Sequence, residues 1–303
     1  DVPEHNVIFQ CSTNVSLWAI EIGTHIVRFG VIRSIPTLQV FWVFTIMLLQ
    51  LLSLFTAGFF GGILNSIAGG GSFITFPALL FFGVPPISAN ATNTFASCAG
   101  YLSGAYAFRK DLREHKRELP LIILISLTGG ISGAWLLLQT PESLFREIIP
   151  WLLLFATLLF IFGGKLNSTL KQFASYHQHA SIIGRLFLIL LLLAICIYGG
   201  FFNAGLGIIV LSYLALAGYS DINTMNGLKL LVSSTISLIA IVLFIYSGVI
   251  AWEEGISVLL GTLLGGYVAA HVSRKLSQKH VRSFIIMVSC GITFYFFIDI
   301  YVL

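Results

Sequence analysis

Charge is what this sequence has least of. Only 9% of its 303 residues are Asp, Glu, Lys or Arg, while 57% are hydrophobic. A soluble domain carries about 25% charged residues, and a water-facing surface cannot be covered with so few. Lipid is therefore the solvent for most of the surface. No Asp or Glu falls in the middle of a hydrophobic segment, and Asp299 stands near the end of the last one. Carriers coupled to a cation or proton usually hold such a carboxylate at membrane depth. An anion leaving an inside-negative cell moves downhill by about 2.3 kcal/mol per charge per 100 mV, so anion export needs none.

Other absences narrow the function further. The sequence shows no nucleotide loop, no catalytic Ser or Cys elbow and no HExxH, so neither an enzyme nor a cofactor is expected. Of four cysteines, Cys98, Cys196 and Cys290 lie in apolar runs and Cys11 in the leader, with no metal or disulfide spacing. They are expected to be membrane-buried bystanders. His177-x-His179 has no Cys or carboxylate close by and does not make a metal site. The net charge of +4 does not point to nucleic acid, because the basic residues sit between hydrophobic segments and act as topology signals. Asn14, Asn90 and Asn167 match the glycosylation sequon, a weak motif. The sequence starts at Asp1 without a methionine and is expected to be processed or trimmed. No signal peptide with a cleavage site is seen. Residues 16–33 suit an interfacial amphipathic helix, with Trp18, Ile20, Ile22 and Ile26 on its apolar side.

What is abundant is long apolar segments. They run Val40–Ile63, Phe73–Phe82, Ile87–Phe108, Leu121–Leu138, Ile148–Phe162, Leu186–Phe202, Ile208–Ala217, Thr224–Tyr246, Ile256–Val272 and Phe284–Tyr301. Those at 73–82 and 208–217 are about half a membrane thickness. The expected fold is an all-α integral membrane protein of nine or ten segments in two inverted repeats. Each repeat holds a glycine-broken re-entrant or half-length helix. The expected domains are an N-terminal extension (1–39), a first transmembrane repeat (40–164), a basic cytoplasmic linker (165–185) and a second transmembrane repeat (186–303).

The repeat shows in matching breaks. Gly61-Gly62-Ile63-Leu64-Asn65 aligns with Gly199-Gly200-Phe201-Phe202-Asn203, and Gly129…Gly133 matches Gly261…Gly265. The latter two are GxxxG spacings, which let membrane helices approach closely. Five segments per repeat is an odd number, so the second repeat should be inverted. The five Lys/Arg of 109–117 and the basic residues of 165–185 then lie inside, with 140–147 and Glu253-Glu254 outside. Arg28 and Arg33 favour an inside N-terminus against strict inversion, which leaves the first crossing unassigned. Inverted repeats with interrupted helices are the sequence pointer to a secondary transporter.

Candidate site residues follow from the breaks. Gly69-Gly70-Gly71-Ser72 precedes a half-helix whose N-terminal N–H groups can hold an oxyanion; the alternative is a tight turn between packed helices. Gly205 and Gly207, beside Asn203, occupy the corresponding break. Asn90, Asn93 and Ser97 share one helix face, as do Asn226, Lys229, Ser233 and Ser237; small-residue packing is the expected role of Ser237, Gly100 and Gly104, and accounts less well for the asparagines. Lys229 lies about a turn and a half into an apolar run, near no carboxylate but Asp221. Such an ammonium either snorkels to the inner headgroups or serves as counter-charge for a bound anion. A carrier, a channel built on the same site, an intramembrane enzyme and a structural subunit remain distinct readings. Mirrored glycine breaks favour the carrier.

Gly58-Phe59-Phe60-Gly61-Gly62-Ile63-Leu64-Asn65-Ser66-Ile67-Ala68-Gly69-Gly70-Gly71-Ser72, followed by Phe76-Pro77, Gly83-Val84-Pro85 and Ala91-Thr92-Asn93-Thr94, resembles the first-repeat signature of the TauE/SafE sulfite exporter family. Gly199 to Gly207 and Asn226 to Leu230 resemble the second, with Asn203-Ala204-Gly205-Leu206-Gly207 less glycine-rich than usual and Ser212 or Tyr213 where a proline is expected. The resemblance covers about residues 45–303. It implies a multi-pass permease of the inner membrane for sulfite, sulfoacetate or another organosulfonate. It points to Asn65, Gly69, Gly70, Gly71, Ser72, Pro77, Thr92, Asn93 and Thr94, and opposite them to Asn203, Gly205, Gly207 and Lys229. The expected partners are a small anion and the bilayer.

Overall fold

The computed structural model describes residues 36–176, 182–272 and 278–302, and all its regular elements are α-helices. The amphipathic segment expected at 16–33, and His177 and His179, lie outside the described residues. The helices are α1 (Pro36–Ala68), α2 (Ser72–Phe81), α3 (Pro86–Ala107), α4 (Arg109–Glu114), α5 (Leu119–Gln139), α6 (Glu142–Tyr176), α7 (Ile182–Phe201), α8 (Leu206–Leu216), α9 (Ile222–Tyr246), α10 (Trp252–Val272) and α11 (Gln278–Tyr301). Six are long and apolar enough to cross a membrane, within α1, α5, α6, α7, α9 and α11. The short apolar helices α2 and α8, at 10 and 11 residues, reach about 15 Å, half a hydrocarbon core. The chain is thus an all-α, multi-pass membrane protein.

At 22 residues α3 has spanning length, yet it is more polar than the six because Asn90, Thr92, Asn93, Thr94 and Ser97 sit on its buried face. Large apolar residues such as Trp42, Phe44, Trp135 and Phe294 form the outer surface, as a lipid-facing surface requires. Cys98 and Cys196 are buried, whereas Cys290 is on the surface of α11. The polar stretch at 165–185 differs from a plain linker. No proline interrupts Lys165–Tyr176, so α6 carries it as continuous helix, and α7 resumes at Ile182.

Glycines in the left-handed conformation mark the half-helices. Gly69 (φ 80°) ends α1, its N–H bonding back to the carbonyls of Leu64 and Asn65 at 3.1 Å each. Gly205 (φ 77°) immediately precedes α8.

Packing repeats between the halves. Helix α1 packs on α10 as α7 packs on α5, α2 on α11 as α8 on α6, and α3 on α10 as α9 on α5. At the centre α3 meets α9 and α6 meets α11. The glycine stripes set the closest approaches. A Cβ on Gly261 or Gly265 would collide with the α1 backbone at Phe55 to Phe59, and one on Gly133 with the α7 backbone at Ile197 to Phe201. Such crossings need residues without side chains, since lipid gives helix association no hydrophobic drive.

Candidate functional site

The first break contains a closed polar network. Asn93 on α3 donates from Nδ2 to Ser72 Oγ at 3.1 Å, and Thr75 Oγ1 donates to Asn93 Oδ1. All three side chains are buried, and Thr75 also reaches the Gly71 carbonyl at 3.2 Å. The N–H groups of Phe73, Ile74 and Thr75 fold back onto the carbonyls of Gly70 and Gly71. Each glycine has its own requirement: Gly69 for its positive φ, Gly70 for the side chains of Ile285 and Phe160, Gly71 for the Gly61 carbonyl. Thr94 donates to the Asn90 carbonyl of its own helix at 2.9 Å, and Thr92 accepts from the Ala251 N–H at 3.0 Å. Neither hydroxyl joins the network.

Two asparagines end the broken helices. Asn65, half-buried in the last turn of α1, places its amide beside Gly100, and no hydrogen bond to that amide forms among the described residues. Asn203, 2% exposed, accepts from the Tyr101 hydroxyl at 3.3 Å and lies 3.5 Å from Ser237 Oγ. Asn93 and Tyr101 stand on the same helix, so α3 reaches the first break through Ser72 and the second through Asn203.

The backbone of the second break resembles that of the first, where the N–H groups of Gly70, Gly71 and Ser72 also meet no backbone carbonyl among the described residues; the two breaks differ in their side chains. Among the described residues, no backbone carbonyl takes the N–H groups of Ala204, Gly205 or Gly207. Gly207, in the first turn of α8, abuts the aliphatic stem of Lys229, which would lie 3.4 Å from a Cβ there. Lys229 is half-buried, and its ammonium donates to Asn226 Oδ1 at 3.2 Å. The ion pairs formed among the described residues, His115–Glu118 and Arg146–Asp299, do not involve it. The stem of Lys229 thus packs on the first turn of α8, and among the described residues its ammonium has no carboxylate beside it; a helix N-terminus attracts negative charge.

The candidates therefore fall into two groups. Ser72, Asn93 and Asn203 are joined through α3, by its Asn93 and its Tyr101, while Gly207, Asn226 and Lys229 form a cluster of their own. Lys229 is eight residues from Ser237 along α9, about 12 Å. A cavity of about 440 Å³ at the ends of α2, α6 and α11, lined by Phe81, Pro86, Arg146, Tyr295 and Asp299 among others, involves none of the expected site residues.

Sequence reasoning missed Thr75 and Tyr101 and assigned Ser237 to packing alone. The signal was available in the two stripes. Asn226, Lys229, Ser233 and Ser237 correspond, at a constant offset, to Asn90, Asn93, Ser97 and Tyr101.

The model of the family described as "Sulfite exporter TauE/SafE" matches residues 54–296. The chain belongs to the TauE/SafE family. A probable membrane transporter protein of Haemophilus influenzae is 30% identical over 242 residues, 79% of this chain and 91% of that protein. Another, from a Sinorhizobium species, is 30% identical over 244 residues, 79% of this chain and 89% of it. The probable membrane transporter protein YfcA of Escherichia coli K12 is 29% identical over 239 residues, 78% and 85% of the two chains. No solved structure matches. Membership of TauE/SafE makes this chain a membrane transporter. The match takes in both breaks and the expected site residues, and leaves out residues 36–53 of α1 and the last turn of α11.

Proposed function

We propose that this TauE/SafE member exports a small anion, sulfite or an organosulfonate, across the inner membrane by alternating access, and that Lys229 is the anion's counter-charge. The observation that carries the reading is Lys229, whose aliphatic stem lies against Gly207 in the first turn of α8 and whose ammonium has, among the described residues, only the Asn226 amide oxygen as partner. An ammonium at membrane depth is costly unless a partner or a water-filled cavity receives it. Two oxyanion oxygens shared between Nζ and the free N–H groups at Gly205 and Gly207 would satisfy both.

Alternating access is supported by the mirrored packing and by the run of α3 and α9. Gly104 abuts Leu230, and Gly227 abuts Phe108 and Leu112, so these corresponding helices run antiparallel. Inversion of the second repeat requires this of them. The 109–117 cluster is then cytoplasmic and Lys229 lies on the cytoplasmic side of the centre.

Purified protein in proteoliposomes tests the function, with sulfite and small sulfonates loaded inside and the membrane potential fixed. Saturable efflux of either is the expected result. An unsaturable current would replace the carrier by a channel. Movement of neither anion would sink the cargo assignment, and a strict need for a proton gradient at clamped potential would sink potential-driven export.

A further inference from the structure

The corresponding stripes on α3 and α9 differ most at their last position, where Tyr101 stands opposite Ser237. The larger side chain crosses between the repeats. Its hydroxyl holds Asn203 at 3.3 Å, Asn203 in turn reaches Ser237, and its own helix holds the first break through the bond from Asn93 to Ser72. Tyr101 therefore ties α3, which holds the first break, to the second break and, through Asn203, to α9.

Exposure changes across this residue. Toward the N-terminus of α3, Asn90, Thr92, Asn93 and Thr94 are 0–3% exposed. Beyond Tyr101, where Gly104 abuts Leu230 of α9, Gly207 and Lys229 are half-buried. Tyr101 marks the boundary between a sealed and an accessible length of the polar stripe.

From this geometry we infer that Tyr101 is the gate of the transport path, a residue that positions the two breaks and does not itself bind cargo. With its hydroxyl on Asn203, the path is shut on the Asn93 side and accessible on the Lys229 side. Opening the other side requires the Tyr101–Asn203 bond to part as the breaks separate. The inference rests on the alternating-access reading, but it makes a claim about accessibility that holds whatever the cargo is.

The test is thiol labelling in sealed proteoliposomes. In a variant whose native cysteines are replaced, Ser97→Cys puts a near-isosteric reporter one turn from Tyr101 on the sealed side. A membrane-impermeant thiosulfonate is added to the face where the Ile87 N–H meets Glu142. The reporter should label slowly with Tyr101 present. Tyr101→Phe, which removes only the hydroxyl, should raise the rate about three- to tenfold, the weight of one hydrogen bond. Asn203→Ala should do the same, and the double variant should label no faster than either single one, because both break one interaction. Equal rates in Tyr101→Phe and its parent, or additive rates in the double variant, would overturn the gate. Labelling needs no cargo, so these outcomes are separate from a failure to move sulfite. If Tyr101→Phe did not fold, Asn203→Ala alone would decide: an unchanged rate would refute the gate.

Discussion

The two breaks answer the same structural problem differently. Each ends a long helix in asparagine, turns through a glycine of positive φ and starts a half-length helix. In the first, Ser72, Thr75 and Asn93 satisfy one another, and the glycines are explained by close packing. In the second, the residue corresponding to Asn93 is Lys229, and among the described residues its ammonium meets only Asn226. The lesson is that a repeat duplicates a scaffold more faithfully than a site. The same backbone carries polar groups that pair among themselves in one half and, in the other, the charge we propose as the anion's partner.

The largest effect should come from the packing the two halves share. Gly265→Leu or Gly133→Leu drives a side chain into the facing backbone, so both should abolish recovery of folded protein in a detergent-solubilised size-exclusion assay. If only one did, the scaffold would be less symmetric than its packing. Next comes the leftover charge. Lys229→Met keeps the stem against Gly207 and should lower anion flux by roughly tenfold or more, the weight of one charged hydrogen bond, with little change in Tm.

A smaller change in flux and a larger one in stability are expected of Asn93→Ala, which strands Ser72 and Thr75. It should cost about 1 kcal/mol, read as a lowered Tm, because buried polar groups lose their partners. The smallest effect belongs to Asp221, whose carboxylate accepts from the Thr224 N–H at 2.7 Å and caps α9. Those hydrogen bonds hold its carboxyl below the usual carboxylate range. Its contribution is present above the unfolded-state pKa and is lost as pH falls through the lower folded one. Asp221→Asn, which keeps a capping oxygen, should flatten that acid limb in a Tm-against-pH series.

Much of the scaffold could be read from the residues. Hydrophobic run length located the spans, and the glycine runs located both breaks and the half-helices at 72–81 and 206–216. The GxxxG spacings pointed to the closest crossings. What escaped reading was polar partnership. Tyr101 looks like any aromatic in an apolar segment, and only its register with Ser237 sets it apart. Thr75 lies inside the run read as a plain apolar half-helix. Helix α6 ran on through polar residues because helix continuity depends on the absence of breakers, whereas polarity marks only where lipid ends.

The account's central claim is that the unpaired charge at the second break is what the anion binds. Lys229→Asn converts that position to its first-repeat counterpart and measures the claim most directly, by sulfite or sulfonate flux from proteoliposomes at fixed membrane potential. The account predicts a folded protein whose flux falls by at least about tenfold and is not restored by Asn93→Lys. Flux equal to wild type in the folded Lys229→Asn variant would contradict it.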